Sequence, residues 1–452
     1  MRNWRGLAVA AAVIALAATA CGQQVAGSAT VDTVGLATGS PSAPPTEESV
    51  TTPSEPPTTE SSTAASPTES PTTGSSEPAP PASSRTETAP TDSGTTGTSS
   101  GGNPLFPTTP QDIPEHPSSD ASAATLEGRR LSNWVLVPTS FDKTYTDGGS
   151  LSTLAFKGPT ALGVLFGDAP VETVADRLGM YTGFSTARST KDGDDLLISV
   201  LVFPDDAAAT KASQQLADAA KTKQADFRAA TLKGYPQAHG WAGKYDSIDS
   251  RYLHTFLADG PLVIYVWMST TIKGTKYLHD VVPKVYDQQI ALLKGYTPTP
   301  QAKLKDQKVD PEGLLARTLP NSPDNGTVND GWYTAAGMLH FVVNPNDDKP
   351  IFNTAGIDLV ARDGSTVYRA KDATGAKYVV DGFVKESAGY QPTFTSMTAP
   401  PGADYAKCLQ DALAAQYYCV AQYGRYAVEI SASSESDMAE AVSAQGALLA
   451  GF

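Results

Sequence analysis

A long stretch with very few large apolar side chains divides this sequence of 452 residues into a part that can fold and a part that cannot. Residues 39–110 are almost wholly Ser, Thr, Pro, Gly, Ala and Glu, with Phe106 as the only aromatic residue and Arg85 as the only basic one. Such a composition buries too little apolar surface to offset chain entropy, and its excess negative charge repels itself. We therefore expect a long disordered tether over residues 21–118.

The first twenty residues have the organisation of a signal peptide. Two arginines precede an apolar run over residues 7–18, and small residues stand directly before Cys21. The run is about half of the roughly 20 residues that a membrane-spanning helix needs. We predict a signal peptide over residues 1–20 that is cleaved before Cys21.

Cys21 follows Ala18-Thr19-Ala20, which is similar to a bacterial lipobox but lacks leucine at its first position. Acylation of the thiol and of the new amino terminus gives the two or more chains that stable anchoring requires. We predict that lipid, including palmitate, on Cys21 anchors the protein to the cell membrane on the extracytoplasmic face. The alternative is a fortuitous cysteine after a conventional secretory signal.

The net charge of −15 excludes one class of partner. An acidic surface with no lysine- or arginine-rich run repels nucleic acid. No nucleic-acid binding is therefore expected.

Two cysteines remain besides Cys21, namely Cys408 and Cys419. An even pair in an oxidising compartment predicts a disulfide. We expect Cys408 at the start of a short helix and Cys419 at the start of a strand, with two reduced structural cysteines as the alternative.

Residues 119–452 exceed the usual size of one domain, and their halves share an order of elements. An alternating strand over 199–203 leads into a helical pattern that ends near 220. In the second half, residues 365–369 lead into a helical run to about 385, weakened by two glycines.

Two further strands follow Gly turns, at 260–266 and 424–430, and each half ends in a helix that closes on Gln-x-Ala-Leu-Leu. In the first half we expect Pro283 to start or kink this last helix. Chance similarity between amphipathic segments is the alternative to a true repeat.

This order predicts an α+β fold of two similar modules, each an antiparallel sheet with helices packed on one face. We place the first module at residues 119–298, a linker at 299–318 and the second module at 319–452.

Several segments resemble a family of uncharacterised actinobacterial envelope lipoproteins of mycobacteria and nocardiae. They are Cys21-Gly-Gln-Gln-Val-Ala-Gly27, Gly183-Phe-Ser-Thr-Ala-Arg188, Pro311-Glu-Gly-Leu-Leu-Ala-Arg-Thr-Leu-Pro320, and the Cys408/Cys419 pair before Arg425-Tyr426. The resemblance covers residues 122–452. It implies a cell-envelope location and a two-part globular region, and it brings no reaction, ligand or catalytic residue.

No motif for catalysis, metal binding or a cofactor stands out. The sequence has no Gly-x-Ser-x-Gly elbow, phosphate-binding glycine loop, EF-hand spacing or paired histidines, so we predict no catalytic residue, metal or cofactor. His254 and His340 are interpreted as hydrogen-bonded strand residues. The acidic clusters, at 192–195, 205–206 and 344–348, are interpreted as turns and helix caps.

Aromatic residues surround both predicted hairpins, and we expect most of them in the core and some along a groove. They are Tyr252, Phe256, Tyr265, Trp267, Tyr417, Tyr418, Tyr423 and Tyr426. Candidate ligand-binding residues are Trp267 in such a groove and Arg188 and Arg317, which would hold an anion there, with surface salt bridging as the alternative for the arginines.

The absence of a reactive motif favours a non-enzymatic module that binds an envelope protein, a glycan or a small ligand. A hydrolase acting on envelope material, with a site formed only in the fold, is the alternative.

Overall fold

The computed structural model describes residues 105–148, 152–167, 170–221, 228–245, 250–271, 273–321, 326–411 and 413–452. The predicted signal peptide, Cys21 and residues 22–104 of the predicted tether lie outside this part of the chain.

Ten α-helices occur in the described residues, and four of them are short. They are α1 Asp120–Leu131, α2 Pro138–Phe141, α3 Gly163–Phe166, α4 Val171–Arg177, α5 Asp206–Ala220, α6 Thr275–Leu293, α7 Ala335–Met338, α8 Pro345–Ala355, α9 Ala373–Tyr390 and α10 Glu435–Leu449.

The strands of the described residues fall into a first set before residue 271 and a second set after residue 330. The first set is β1 Leu154–Ala155, β2 Thr182–Ser189, β3 Asp195–Val202, β4 Arg228–Ala229, β5 His239–Tyr245, β6 Ser250–Asp259 and β7 Leu262–Thr270. The second set is β8 Gly331–Tyr333, β9 Leu359–Arg362, β10 Thr366–Arg369, β11 Thr395–Met397, β12 Tyr405–Asp411, β13 Gln416–Tyr423 and β14 Tyr426–Ala432.

The two sheets have the same topology. The first runs in the order β1-β2-β3-β7-β6-β5-β4, and the second, read from its β8 edge, runs β8-β9-β10-β14-β13-β12-β11. Every ladder is antiparallel. The predicted α+β fold of two similar modules is therefore confirmed.

Helices cover both faces of each sheet, whereas the sequence analysis placed them on one. In the first module α5 packs through Leu216 on one face, and α6 packs through Val285 on the other. In the second module α8 and α9 share one face and α10 covers the opposite one. The reason lies in the central strands, because residues 196–202 of β3 are all buried and leave neither face for solvent.

Equivalent helices also begin in the same way. Asp205 caps α5 by accepting a hydrogen bond from the amide of Ala208, and Asp372 caps α9 through the amide of Gly375. A side-chain oxygen at this position satisfies an amide that the first helical turn leaves free. Both glycines that weaken the α9 pattern lie in close packing. Gly375 lies against the backbone of Ala355, where a larger residue would collide, and Gly382 lies against the side chain of Ile351.

Residues 105–118, predicted as the end of the tether, are ordered and pack on the second module. Phe106 and Ile113 contact its core, and the amide of Gln111 donates to Ala316 O at 2.8 Å. The sequence around Phe106 and Ile113 contains so few apolar residues that its pattern did not predict their packing. The fold therefore includes residues 105–118, which were predicted to belong to the tether.

The predicted linker, 299–318, is folded as well. It contains short 3₁₀ turns at Gln301–Asp306 and Leu315–Arg317, and Leu304 and Leu314 are buried. Just before it, Tyr296 donates a hydrogen bond of 2.7 Å to the fully buried Glu127 of α1. These contacts tie the connection between the modules to α1.

Helix α6 starts at Thr275, so Pro283 lies inside it and does not start it, and a kink at Pro283 stays a prediction. Two other local predictions differ from the structure. His340 lies just after α7 instead of in a strand, and it contacts Ser132 O at 3.0 Å. Cys408 lies in strand β12, not in a helix.

The predicted disulfide is present between Cys408 and Cys419. The two residues are direct partners in the β12–β13 ladder, with Cα atoms 4.1 Å apart. Strand pairing therefore brings the cysteines together, where the sequence analysis relied on the chain folding back from a helix.

Candidate functional site

A cavity of about 200 Å³ opens in the second module, between its sheet and helices α8 and α9. Strands β10, β13 and β14 form the floor. Its lining combines carboxyl groups with aromatic rings, namely Asp348, Asp363, Glu386, Glu429, Phe341, Tyr368, Phe383, Tyr390, Phe394, Tyr417 and Tyr418. Among the described lining residues, Arg362 is the one cation.

Glu429 lies on the floor of the cavity, in the middle of β14. Tyr368 donates a hydrogen bond of 2.5 Å to its Oε2, and Tyr418 donates one of 2.7 Å to its Oε1. Burial raises the pKa of Glu429, although both phenol bonds favour its ionised form. The two tyrosines hold the carboxyl group in one orientation, on the floor of the cavity.

Asp348 of α8 and Glu386 of α9 form a hydrogen-bonded pair of acids in the same lining. Burial raises the pKa of Glu386 to about 7, and repulsion from Asp347 and Glu429 adds to the effect. The pKa of Asp348, which is 5% exposed, is raised well above its usual range for the same reason. Their hydrogen bond, burial and mutual repulsion favour a proton shared by the pair.

The three carboxyls lack the counter-charges that buried acids usually have. In the described part of the chain, none of Asp348, Glu386 and Glu429 lies within salt-bridge distance of a lysine or arginine. Arg362 lowers the pKa of Glu429 from a distance, and its guanidinium stands 5.5 Å from the ring centre of Phe341. The cavity therefore has an excess of acid over base.

Tyrosine and phenylalanine rings border the acids on the side of Tyr390. The Tyr390 hydroxyl donates to Asp347 and accepts a hydrogen bond of 3.0 Å from Asn344. Phe394 stacks on Tyr418 with 6.5 Å between ring centres. These contacts fix aromatic rings beside the acids.

The same face of the first module is filled instead of open. Tyr265 pairs with Ser199 in β3 as Glu429 pairs with Thr366 in β10, so the matching topology places Tyr265 where Glu429 stands. Phe166 packs 4.9 Å from the Tyr265 ring. Aromatic packing thus occupies the space that the second module leaves free.

The hydrogen-bond partner of this central residue also differs between the modules: it is His254 for Tyr265 and Tyr418 for Glu429. His254 faces Trp267 across the β6–β7 ladder as Tyr418 faces Ser431 across β13–β14. The Tyr265 hydroxyl lies 2.9 Å from His254 Nδ1, and burial lowers the pKa of His254 to about 3. This histidine is therefore a neutral core residue.

The residues singled out from the sequence lie around this arrangement. Arg188 is 3% exposed and donates to the carbonyls of Val342 and Val343, which line the cavity. Trp267 is half-buried in the first module, at the position equivalent to that of Ser431, which lines the cavity in the second. Arg188 thus holds a segment of the cavity wall from the first module.

Arg317 does not reach the cavity. It donates to Gly313 O at 2.7 Å and stacks 3.9 Å from the ring centre of Phe452. Tyr417 and Tyr418 do line the cavity, as expected for part of the aromatic set, whereas Tyr252, Phe256 and Tyr265 are buried in the core.

Sequence reasoning gave no site role to Asp348, Glu386 and Glu429, which are three of the four acids that line the cavity. Glu429 stands in the middle of β14, where the equivalent position of β7 is Tyr265, and this charged residue in a largely buried strand was the available signal. Asp348 was interpreted as a helix-cap residue; it does lie in the first turn of α8, where Asn344 is the cap. Among the described residues, no group of three or more His, Cys, Asp or Glu side chains is arranged to hold a metal ion.

Fold and site together define a protein of two α+β modules with an acidic, aromatic-lined cavity in the second. The chain belongs to the family described as domain of unknown function DUF7373, whose N-terminal part matches residues 114–309 and whose C-terminal part matches residues 314–451.

None of the curated proteins compared with the chain matches it. Among solved structures, the chain is similar to the extracellular domain of PknH from Mycobacterium tuberculosis, with 14% identity and a TM-score of 0.27. The similarity covers 37% of this chain and 97% of that one. Within the described residues, no helix combines the length and apolar character needed to cross a membrane.

Proposed function

We propose that this protein is a lipid-anchored, extracytoplasmic binding module whose ligand site is the cavity of its second module. The main support for this proposal is the contrast between the equivalent sheet faces of the two modules. Aromatic rings fill the face in the first module, while the second keeps about 200 Å³ open beside buried acids. Natural cores are close-packed, so a retained polar cavity indicates a use beyond folding.

Two features support export and anchoring. The signal-like segment before Cys21 directs the chain out of the cytoplasm, and the Cys408–Cys419 disulfide suits an oxidising compartment. Replacing Cys21 by Ala is expected to move the protein from the membrane fraction to the soluble extracytoplasmic fraction, because the remaining apolar run is too short to anchor it. Unchanged membrane binding would contradict the anchor.

The cavity is tested by filling it. Ser431→Trp places in the second module the residue that Trp267 supplies in the first, and Lys276→Trp on the exposed surface of α6 is the matched control. A set of small cationic, anionic and neutral compounds is screened by ligand-observed NMR. Compounds that bind wild type and the control should lose binding to Ser431→Trp, and retained binding, or no binder at all, would contradict the proposal.

A hydrolase acting on envelope material is the competing function, and the Asp348–Glu386 pair favours it. Two acids that share a proton can act as acid and base toward water. Incubation with envelope glycan and peptide fragments, followed by mass spectrometry, tests this function. Products formed by wild type and lost in Glu386→Gln would favour the hydrolase over the binding module.

A further inference from the structure

We propose that the cavity of the second module recognises an alkylammonium group, held by Asp348, Glu386 and Glu429 against aromatic walls. This inference rests on the proposed function of the cavity as a ligand site and names the chemistry of the ligand.

The first support is unbalanced charge at a buried position. Asp348 is 95% buried, lines the cavity and has another acid, Glu386, as its hydrogen-bond partner. A buried carboxylate without a cation is unfavourable, and a partner that supplies positive charge and N–H donors removes this cost. An ammonium group supplies both, whereas an anion would add to the repulsion.

The second support is the aromatic lining. Tyr368, Phe383 and Tyr418 place ring surfaces around the same space. Ring faces attract cations, most strongly where water is excluded. Neutral sugars also stack on rings, but they would leave the excess negative charge in place.

The third support is size. About 200 Å³ is below the range of about 300–1,000 Å³ that is typical of sites for drug-sized ligands. The space therefore suits one small terminal group, such as the end of an alkylamine chain, better than an extended molecule.

Several titratable or charged groups lie on the elements packed around Glu386. They are Asp347 and Asp348 from α8, Lys385 and Tyr390 from its own helix α9, Glu429 from β14, Tyr368 from β10, Tyr418 from β13 and Arg362 from β9. An ammonium group that binds the acid pair must displace the shared proton. Binding is therefore linked to proton release and strengthens as the pH rises.

Three five-carbon probes of similar length test the inference by isothermal titration calorimetry. Cadaverine is a cation, pentane-1,5-diol is neutral and glutarate is an anion. We expect cadaverine to bind selectively, and about tenfold more tightly at pH 8 than at pH 6, since Glu386 ionises with a pKa of about 7 while the amines stay charged.

Glu386→Gln should weaken cadaverine binding and reduce its pH dependence, and Glu435→Gln, at an exposed acid of α10, should change neither. Ser431→Trp should remove binding altogether. Circular dichroism and thermal melting confirm that each variant is folded.

The outcomes separate this inference from the proposed function. If glutarate or the diol binds in preference, and Ser431→Trp removes that binding, the cavity is a ligand site but the ammonium assignment is wrong. If no compound of the larger screen binds the cavity, the proposed function fails as well. Cadaverine binding of equal strength at pH 6 and pH 8 would overturn the role of the acid pair.

Discussion

The two modules share a strand order but use one face of their sheets differently. In the first module, Tyr265 occupies the central position of this face and packs against Phe166 and Phe256. In the second module Glu429 has that position, with Glu386 of α9 above it. The equivalent of Glu386 in α5 is Ala219, by the alignment of the two helix caps.

This contrast shows how a repeated fold can divide its tasks. A filled apolar face contributes stability, because each buried side chain removes apolar surface from water. Acids on the matching face cost stability and leave space. On this face the first module is therefore close-packed, whereas the second is less closely packed and has a polar cavity.

The most severe test exchanges the central residue of the filled face. Tyr265→Glu places a carboxylate among Phe166, Phe256 and His254, and it should destabilise the protein by about 3–5 kcal/mol, as for an uncompensated buried charge. Urea denaturation measures the change. Glu429→Gln in the second module is the comparison and should cost far less; an equal loss would show that the two faces do not differ as described.

Removal of the disulfide tests a second difference between the modules. Cys408 pairs with Cys419 at the positions where the first module has Gly240 and Thr255. Replacing both cysteines by Ser should lower stability by about 2–4 kcal/mol, because the cross-link restricts the unfolded chain. Thermal unfolding with and without reductant checks this, and stoichiometric thiol labelling of the native, non-reduced protein would contradict the bond.

The acid cluster should give the second module a distinctive pH dependence. The folded-state pKa of Glu386, about 7, is above its ordinary value of 4.5, so the folded protein binds more protons between these limits. Stability contributed by this group is present below pH 4.5 and is lost as the pH rises toward 7.

Glu386→Gln should remove this contribution, which is about 1 kcal/mol once solvent screening at a partly exposed site is allowed for. The difference in melting temperature between variant and wild type should therefore change from pH 5 to pH 7.5. A constant difference across this range would show that Glu386 titrates normally.

The smallest expected effect concerns the N-terminal segment that only the second module receives. Glu440 of α10 accepts hydrogen bonds from the amides of Leu105 and Phe106. Glu440→Ala should cost about 1 kcal/mol or less and speed proteolysis within residues 105–113, with the rest of the fold protected. Glu435→Ala on the same helix is the control, and an equal gain in cleavage there would exclude a specific role for Glu440.

The order of strands and helices was accessible from the sequence because it depends on local patterns. Alternation predicted β3, β7, β10 and β14, and helical patterns predicted α5, α9 and α10. The order of elements that the two halves share predicted two similar modules. Cysteine count alone predicted the pair Cys408 and Cys419.

Other features depended on which segments meet in space. Residues 105–118 look like tether, yet Phe106 and Ile113 find a core more than 200 residues away in sequence, as shown by Gln111 bonding at Thr318. Similarly, the antiparallel ladder, rather than a local helix, aligns Cys408 with Cys419.

The cavity belongs wholly to this second category. Asp348, Glu386 and Glu429 are distant in sequence, and each by itself has an ordinary local role in a helix turn, a helix surface or a strand. The alternation of apolar and polar residues decides whether a side chain faces the sheet or the solvent. Desolvation and charge repulsion arise only when the three acidic side chains share one cavity. For that reason the sequence determined the architecture of this protein, and the tertiary structure alone decided where its acids converge.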